Sequence, residues 1–196
     1  MRGVLCACVS AGHAIAADAI AQLCQEAGVP DGALRILLGA GAAGAALVAH
    51  PEIDKIAFTG STQTGLSIMD AAAKNGTKVT LELGGKSPQV VFASSDIKKA
   101  AQGVALGIWT NAGQVCVAGS RLIVESSIKE LFIEALLEAA DDLVVGHSLD
   151  PDSTMGPIIS DAQLTKIEAV LETARLDGAT ILTAASISGS GGTFMR

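Results

Sequence analysis

Short apolar runs and helical patterns take turns along this chain, and the links between them are only a few residues long. Residues 14 to 27 (AIAADAIAQLCQEA) space their apolar side chains at helical intervals and stop at Gly28 and Pro30. Leu34 to Leu38 reads as a strand closed by Gly39, and residues 42 to 49 as a helix halted by His50 and Pro51. Lys55 to Thr59 is a second strand, ended by Gly60 and Ser61, and a helix runs from Thr62 to Lys74 before Asn75 and Gly76. Lys78 to Leu83 is a third strand, and Gln89 to Phe92 a short fourth, apolar after its first residue. Strand and helix in turn, with short connections, imply right-handed crossovers and a parallel sheet covered on both faces. The expected class is α/β, with parallel sheets flanked by helices.

The second half repeats the logic. Asp96 to Gly107 is helical and Ser120 to Glu125 is a strand. Ser127 and Glu130 have capping-box spacing, and the helix they open sets Ile128, Leu131, Phe132, Ala135 and Leu136 on one expected face. Ser160 and Gln163 open another helix, to about Leu176, followed by an expected strand from Thr180 to Leu182. The end, from Ser186 to Gly192, is rich in Ser and Gly. Hydrophobic residues make 49% of the 196, which excludes a mainly disordered chain, and 22 glycines with 3% aromatics suit helices packed closely on a sheet.

Charge narrows the function classes. Lys and Arg number 13 against 20 Asp and Glu, a formal net charge of −7, which opposes binding to a phosphate backbone. No basic run seeks an anionic membrane, and the uncharged stretch Ile36 to Ala49 is too short and Gly-rich to cross one. A cleaved leader at the start is disfavoured by Gly12 and His13, which interrupt its apolar part. Cys6, Cys8, Cys24 and Cys116 are no disulfide framework, so a reducing cytoplasm is the expected compartment.

Several motifs fail on inspection. Gly39-Ala40-Gly41-Ala42-Ala43-Gly44 fits the dinucleotide fingerprint, but the next strand ends Phe58-Thr59-Gly60 without the acid that should grip a ribose. A tight strand-to-helix turn is the simpler reading. Gly85-Lys86-Ser87 lacks the earlier glycine of a phosphate loop and is followed by Pro88 and a strand. Cys6 and Cys8 have no further ligands at zinc spacing, and His13, His50 and His147 stand apart, so no metal is expected.

Three motifs carry chemistry. Cys116 sits in NAGQVCVAGSR, where Gly113 and Gly119 would let backbone approach a substrate and the Cys N–H could donate to an oxyanion. A thiolate there would add readily to carbonyl carbon; a packed core thiol is the plain alternative. Glu82, in LELGGKSP, stands at the C-terminal end of an expected parallel strand, where such sheets place ligands. Flanking Leu81 and Leu83 predict partial burial, a setting for a general base; a surface carboxylate is the alternative. Phe58-Thr59-Gly60-Ser61-Thr62 offers N–H groups and hydroxyls to an anion, or simply caps a helix.

Together, FTGST, LELGGKSP and NAGQVCVAGSR, in this order and at these spacings, resemble the aldehyde dehydrogenase superfamily. HPEIDKIAFTGST, Met155-Gly156-Pro157 and QEAGVPDG match as well, so the resemblance runs from about Gln22 to about Thr183. It implies a Rossmann-like NAD(P)-binding domain in residues 1–83 and a catalytic domain in 84–196, both partial. It implies that Cys116 adds to a small-molecule aldehyde to give a thiohemiacetal, that hydride passes to NAD or NADP, and that Glu82 activates water against the resulting thioester. Asn111, Gly113 and Gln114 fall in the loop supporting the nucleophile, and Gly60, Ser61, Leu83 and Gly84 match positions beside the cofactor. Trp109 and Thr110 flank the same loop and are candidates for the substrate channel, with core packing an equal reading for Trp109. Full-length members form homo-oligomers.

The departures from the family pattern are specific. Its Pro-Trp-Asn strand, whose Asn completes the oxyanion hole, has no counterpart. The Lys and Glu that hold the adenosine ribose would fall at Cys8 to Ala11, which reads Cys-Val-Ser-Ala. The Glu for the nicotinamide ribose and the assembly strand would lie past Arg196. The expectation is therefore the central piece of a longer enzyme, with a catalytically inactive remnant or interaction module as the other reading.

Overall fold

The computed structural model describes residues 4–9 and 13–182. The chain divides into two compact units, Met1–Leu83 and Gly84–Arg196. Among the described residues all strand pairs are parallel, so the α/β class read from the alternation is what is found.

The first unit holds β1 (Leu5–Val9), α1 (Ala14–Glu26), β2 (Leu34–Leu38), α2 (Gly41–Val48), β3 (Lys55–Gly60), α3 (Thr62–Asn75) and β4 (Lys78–Leu83). β1 pairs with β2 from Leu5↔Leu34 to Val9↔Leu38, and β3 with β4 from Lys55↔Lys78 to Gly60↔Leu83. β1 was hidden in the sequence because its small Cys and Ala residues read equally as the start of an Ala-rich helix. Its last carbonyl, that of Val9, accepts from the Gly39 N–H at 3.0 Å, which fixes the turn into α2. Ala40 precedes α2 without a side-chain cap, so the Gly39 motif serves as a strand-to-helix turn. Ile56, Ile68 and Ala72 form the buried core of this unit, with Val48, Ile53, Phe58 and Leu81 against it. α3 is well specified: Ser61 caps its start and Gly76, at φ 67°, ends it in the left-handed conformation that glycine adopts freely.

The second unit holds β5 (Pro88–Val91), α4 (Ile97–Trp109), β6 (Arg121–Val124), α5 (Lys129–Asp141) and α6 (Asp161–Leu176). β5 pairs with β6 from Pro88↔Arg121 to Val91↔Val124. Val91, Ala101, Val104 and Phe132 are the buried core, and Phe132 is fully enclosed. Beyond the strand pair, Glu125 accepts the Ala93 N–H at 2.8 Å and the Ser127 hydroxyl at 2.9 Å. These two donors, the backbone one first, hold its carboxyl below the ordinary glutamate value.

Four expectations need correction. The described strands form three separate two-stranded sheets rather than one covered on both faces, and β6 alternates exposed and half-buried residues, as a strand does when helices pack on one side only. No capping box forms at Ser127, because a 3-10 turn at Ser126–Ile128 puts Ile128 rather than Ser127 at the start of α5, and the Ser127 hydroxyl donates to Glu125. Leu131 is 55% exposed, because the packed face of α5 follows Ile128, Phe132, Ala135 and Leu136, and Leu131 lies about 100° off it. Residues 180–182 are not a strand. The Ser160 cap is as expected, accepting the Gln163 N–H at 3.3 Å. The Ser/Gly-rich end lies outside the described residues.

Candidate active site

In the first unit, the parallel register brings the predicted residues of two motifs to one edge. Thr59 stands opposite Glu82, and Gly60 opposite Leu83, at the C-terminal ends of β3 and β4. Side chains alternate along a strand, so Leu81 and Leu83 turn toward α3 and Glu82 turns away. Leu83 packs so closely on α3 that a Cβ on Gly65 would meet its Cδ2 at 2.5 Å. Glu82 is exposed, contrary to the partial burial expected from its leucine neighbours. The same alternation that buries them excludes it.

Ser61 accepts the Thr64 N–H at 3.2 Å, which leaves the N–H groups of Thr62 and Gln63 as the open donors of the first turn of α3. No acidic side chain lies in that turn. The ring of Phe58 fills the space where a Cβ on Gly60 would stand, so that position accepts only glycine without rearrangement. The edge thus presents donors, hydroxyls and no carboxylate at the Ser61 turn, and a free carboxylate one strand away.

In the second unit, α4 ends at Trp109, and the Thr110 hydroxyl donates back to the Leu106 carbonyl at 2.6 Å. Three successive residues are then left-handed: Asn111 at φ 54°, Ala112 at 55° and Gly113 at 71°. For Ala112 that conformation costs about 1–2 kcal/mol, whereas asparagine adopts it more readily. Hydrogen bonds hold it. The Gln114 N–H donates to the Asn111 carbonyl at 3.1 Å, and Asn111 Nδ2 donates to the Gln114 carbonyl at 3.3 Å. Gln114 Nε2 reaches the Asn111 carbonyl at 3.3 Å and the Pro157 carbonyl at 3.5 Å, while its Oε1 accepts the Ile159 N–H at 3.0 Å. One side chain therefore joins the left-handed turn to the segment after Met155-Gly156, two motifs far apart in sequence.

Cys116 follows in a turn closed by the Ala118 N–H on the Val115 carbonyl at 3.0 Å, and it is an exposed, free thiol. The packed-thiol alternative is thereby excluded for this unit. A Cβ on Gly85 would stand 3.1 Å from the Cys116 carbonyl, so the Gly84-Gly85 turn lies against the cysteine backbone. Arg121 fastens the two motifs further: its N–H donates to the Ser87 carbonyl and its Nε to the Lys86 carbonyl, at 3.2 and 2.8 Å.

The glycines of the loop do something other than expected. The missing Cβ of Gly113 leaves room for the Ile108 carbonyl, and that of Gly119 for the amide of Gln89. Both spaces are filled by the protein itself rather than left for a ligand. Gln89 was missed as a site residue, although a polar side chain heading an otherwise apolar strand was the available signal.

Trp109 is half-buried and, with Leu106 and Thr110, lines a cleft of about 460 Å³ that Ala135, Glu138 and Leu143 close from α5 and its exit. His50 and His147 are local: Nδ1 of each accepts a backbone N–H two residues on, from Glu52 at 3.3 Å and Leu149 at 3.2 Å. Among the described residues no group of three His, Cys, Asp or Glu could hold a metal, and no helix is long and apolar enough to cross a membrane.

The first unit thus carries an exposed carboxylate at a strand edge, and the second an exposed free thiol on a braced loop. The family model described as the aldehyde dehydrogenase family matches residues 9–196, and the chain belongs to that family. It is 49% identical over 165 residues to a peroxisomal aminoaldehyde dehydrogenase 1 of Malus domestica, covering 83% of this chain and 33% of that relative. Among solved structures it is similar to a betaine aldehyde dehydrogenase of Staphylococcus aureus in complex with NAD+, with 38% identity and a TM-score of 0.89 over 92% of this chain and 36% of that one. An E. coli NADP dependent enzyme gives 35% identity and a TM-score of 0.90, covering 97% and 40%. The chain spans about a third of the length of the curated relatives it matches.

Proposed function

We propose that this chain forms the nucleophile-bearing part of an NAD(P)-dependent aldehyde dehydrogenase that oxidises an aldehyde to a carboxylic acid. The observation that carries the reading is Cys116, an exposed free thiol in a loop whose left-handed turn is held by side-chain hydrogen bonds. Backbone strain persists where surrounding structure over-determines it, and such places cluster at functional sites. Residues 1–83 would carry the cofactor and residues 84–196 the nucleophile.

Cys116 Sγ attacks the aldehyde carbon, and the carbonyl oxygen becomes the hydroxyl of a thiohemiacetal. The nicotinamide of NAD or NADP, when bound, supplies the hydride acceptor. Loss of that hydride and of the hydroxyl proton leaves an acyl thioester on Cys116. Glu82 takes a proton from water as it adds to the thioester carbonyl, and the acid departs as the thiol is restored. The open N–H groups of Thr62 and Gln63 beside Ser61 suit a pyrophosphate; Gly60, Leu83 and Gly84 are cofactor candidates from the family pattern. The absence of acid in the first turn of α3 fits that anion. Relatives named for aminoaldehydes and betaine aldehyde make a small aldehyde with a cationic nitrogen the first substrate to test.

The experiment is an assay of reduced nicotinamide formed by the enzyme that carries this chain, with betaine aldehyde and an uncharged aldehyde of equal size. Cys116→Ala should lower turnover by about 10³-fold or more. Glu82→Gln should slow steady turnover by about 10²–10⁴-fold while keeping the first turnover, because hydride loss precedes hydrolysis. Full turnover in Cys116→Ala would refute the reading.

A further inference from the structure

We propose that Gln89 is a positioning residue for the nucleophile loop: its side-chain amide ties the loop's exit to α4 and so sets the placement of Cys116. The inference rests on Cys116 being the nucleophile. Gln89 is the second residue of β5 and is half-buried. Its Nε2 donates to two carbonyls, that of Val104 in the middle of α4 at 3.2 Å and that of Gly119 at 2.9 Å. The Gly119 N–H donates to the Gly107 carbonyl at 2.9 Å, so residues 108–118 form a loop closed at its base. Two glycines make room for the amide. A Cβ on Gly107 would meet Gln89 Oε1 at 2.7 Å, and a Cβ on Gly119 would overlap the amide itself. Cys116 lies three residues before Gly119, on the side of the loop that this tie holds.

The chemistry of the tie is specific. Two carbonyl oxygens face one NH₂ group, so an apolar side chain of the same length cannot replace it, and a carboxylate would meet both oxygens with like polarity. Because the reacting atoms must be held close to attack geometry, a small displacement of the loop lowers turnover more than it lowers substrate binding.

The test uses the enzyme that carries this chain. Gln89→Met keeps length and loses both donors; Gln89→Glu keeps shape and reverses polarity. For Gln89→Met, kcat should fall about tenfold with KM for the aldehyde little changed, and Gln89→Glu should fall further. Alkylation of Cys116 by iodoacetamide, followed by mass spectrometry, should change in rate in both variants while that of Cys24, in the first unit, does not. Gly107→Ala approaches from the other side. Helix propensity favours it, yet its methyl displaces the amide, so it should lower kcat without lowering the melting temperature. It decides the matter if neither Gln89 variant folds. Unchanged kcat and unchanged Cys116 alkylation would overturn the inference, as would losses of kcat that merely follow melting temperature. If Cys116→Ala is itself active, the nucleophile reading has failed; if it is dead while Gln89→Met keeps full kcat, only the role of Gln89 has failed.

Discussion

The segment that carries Glu82 is regular strand to its last residue, whereas the segment that carries Cys116 leaves regular structure at Thr110 and turns left-handed for three residues. Glu82 is placed by ladder register and by the period of two, which the backbone supplies wherever a strand is paired. Cys116 is placed by side chains: Asn111 and Gln114 brace the turn, Gln114 reaches to Pro157 and Ile159, and Gln89 ties the exit. The denser bracing falls on Cys116, the residue proposed as the nucleophile, and the sparser on Glu82, the residue proposed as the base.

This contrast can be broken by mutation, beginning with the core under the loop. Phe132→Ala should destabilise the second unit by about 3–5 kcal/mol. Hydrogen exchange should then show protection lost in α4 and α5 while β3 and β4 keep theirs; equal loss in both units would remove the distinction. Ser61→Ala removes a cap that accepts from Thr64 and should cost about 1 kcal/mol in the first unit, read from urea midpoints. No change would mean that the turn is held by something other than its cap.

Ala112→Gly goes the other way. It relieves a left-handed alanine at φ 55°, and the gain, offset by greater freedom of the unfolded chain, should be about 0.5–1 kcal/mol. A destabilised variant would mean that the left-handed turn carries no strain.

The smallest effect concerns Glu125. Its folded value lies below the unfolded one, so its contribution is present above the ordinary glutamate value of 4.5 and is lost as pH falls through the lowered folded value. Glu125→Gln should therefore lower the urea midpoint slightly at pH 7 and by less at pH 3. An equal change at both would exclude the carboxylate's charge as the source.

What could be read in the sequence follows the same line. β2, β3, β4, α3 and the Ser160 cap were legible, because periodicity, turn glycines and capping residues are local signals. β1 was not, since Cys and Ala state no preference between strand and helix. The Ser127 cap was misread because a 3-10 turn through Ser126–Ile128 shifts the start of α5 past it, and spacing does not reveal such a turn. FTGST and LELGGKSP showed where two strand ends would lie, and the parallel register puts Gly60 opposite Leu83. The loop motif named Cys116 but not what holds it. The distant partners of Gln114 lie more than forty residues on, and Gly113 and Gly119 gave no hint that the Ile108 carbonyl and the Gln89 side chain would need their space.

The central claim is that this loop presents Cys116 for covalent reaction with an aldehyde. The most direct measurement is the intact mass of Glu82→Gln enzyme shortly after mixing with NAD and betaine aldehyde, followed by peptide mapping. The account predicts an acyl adduct on Cys116, formed as the first equivalent of reduced nicotinamide appears and hydrolysed slowly thereafter. Reduced nicotinamide formed with no adduct, or an adduct on Cys6, Cys8 or Cys24 with Cys116 unmodified, would contradict it.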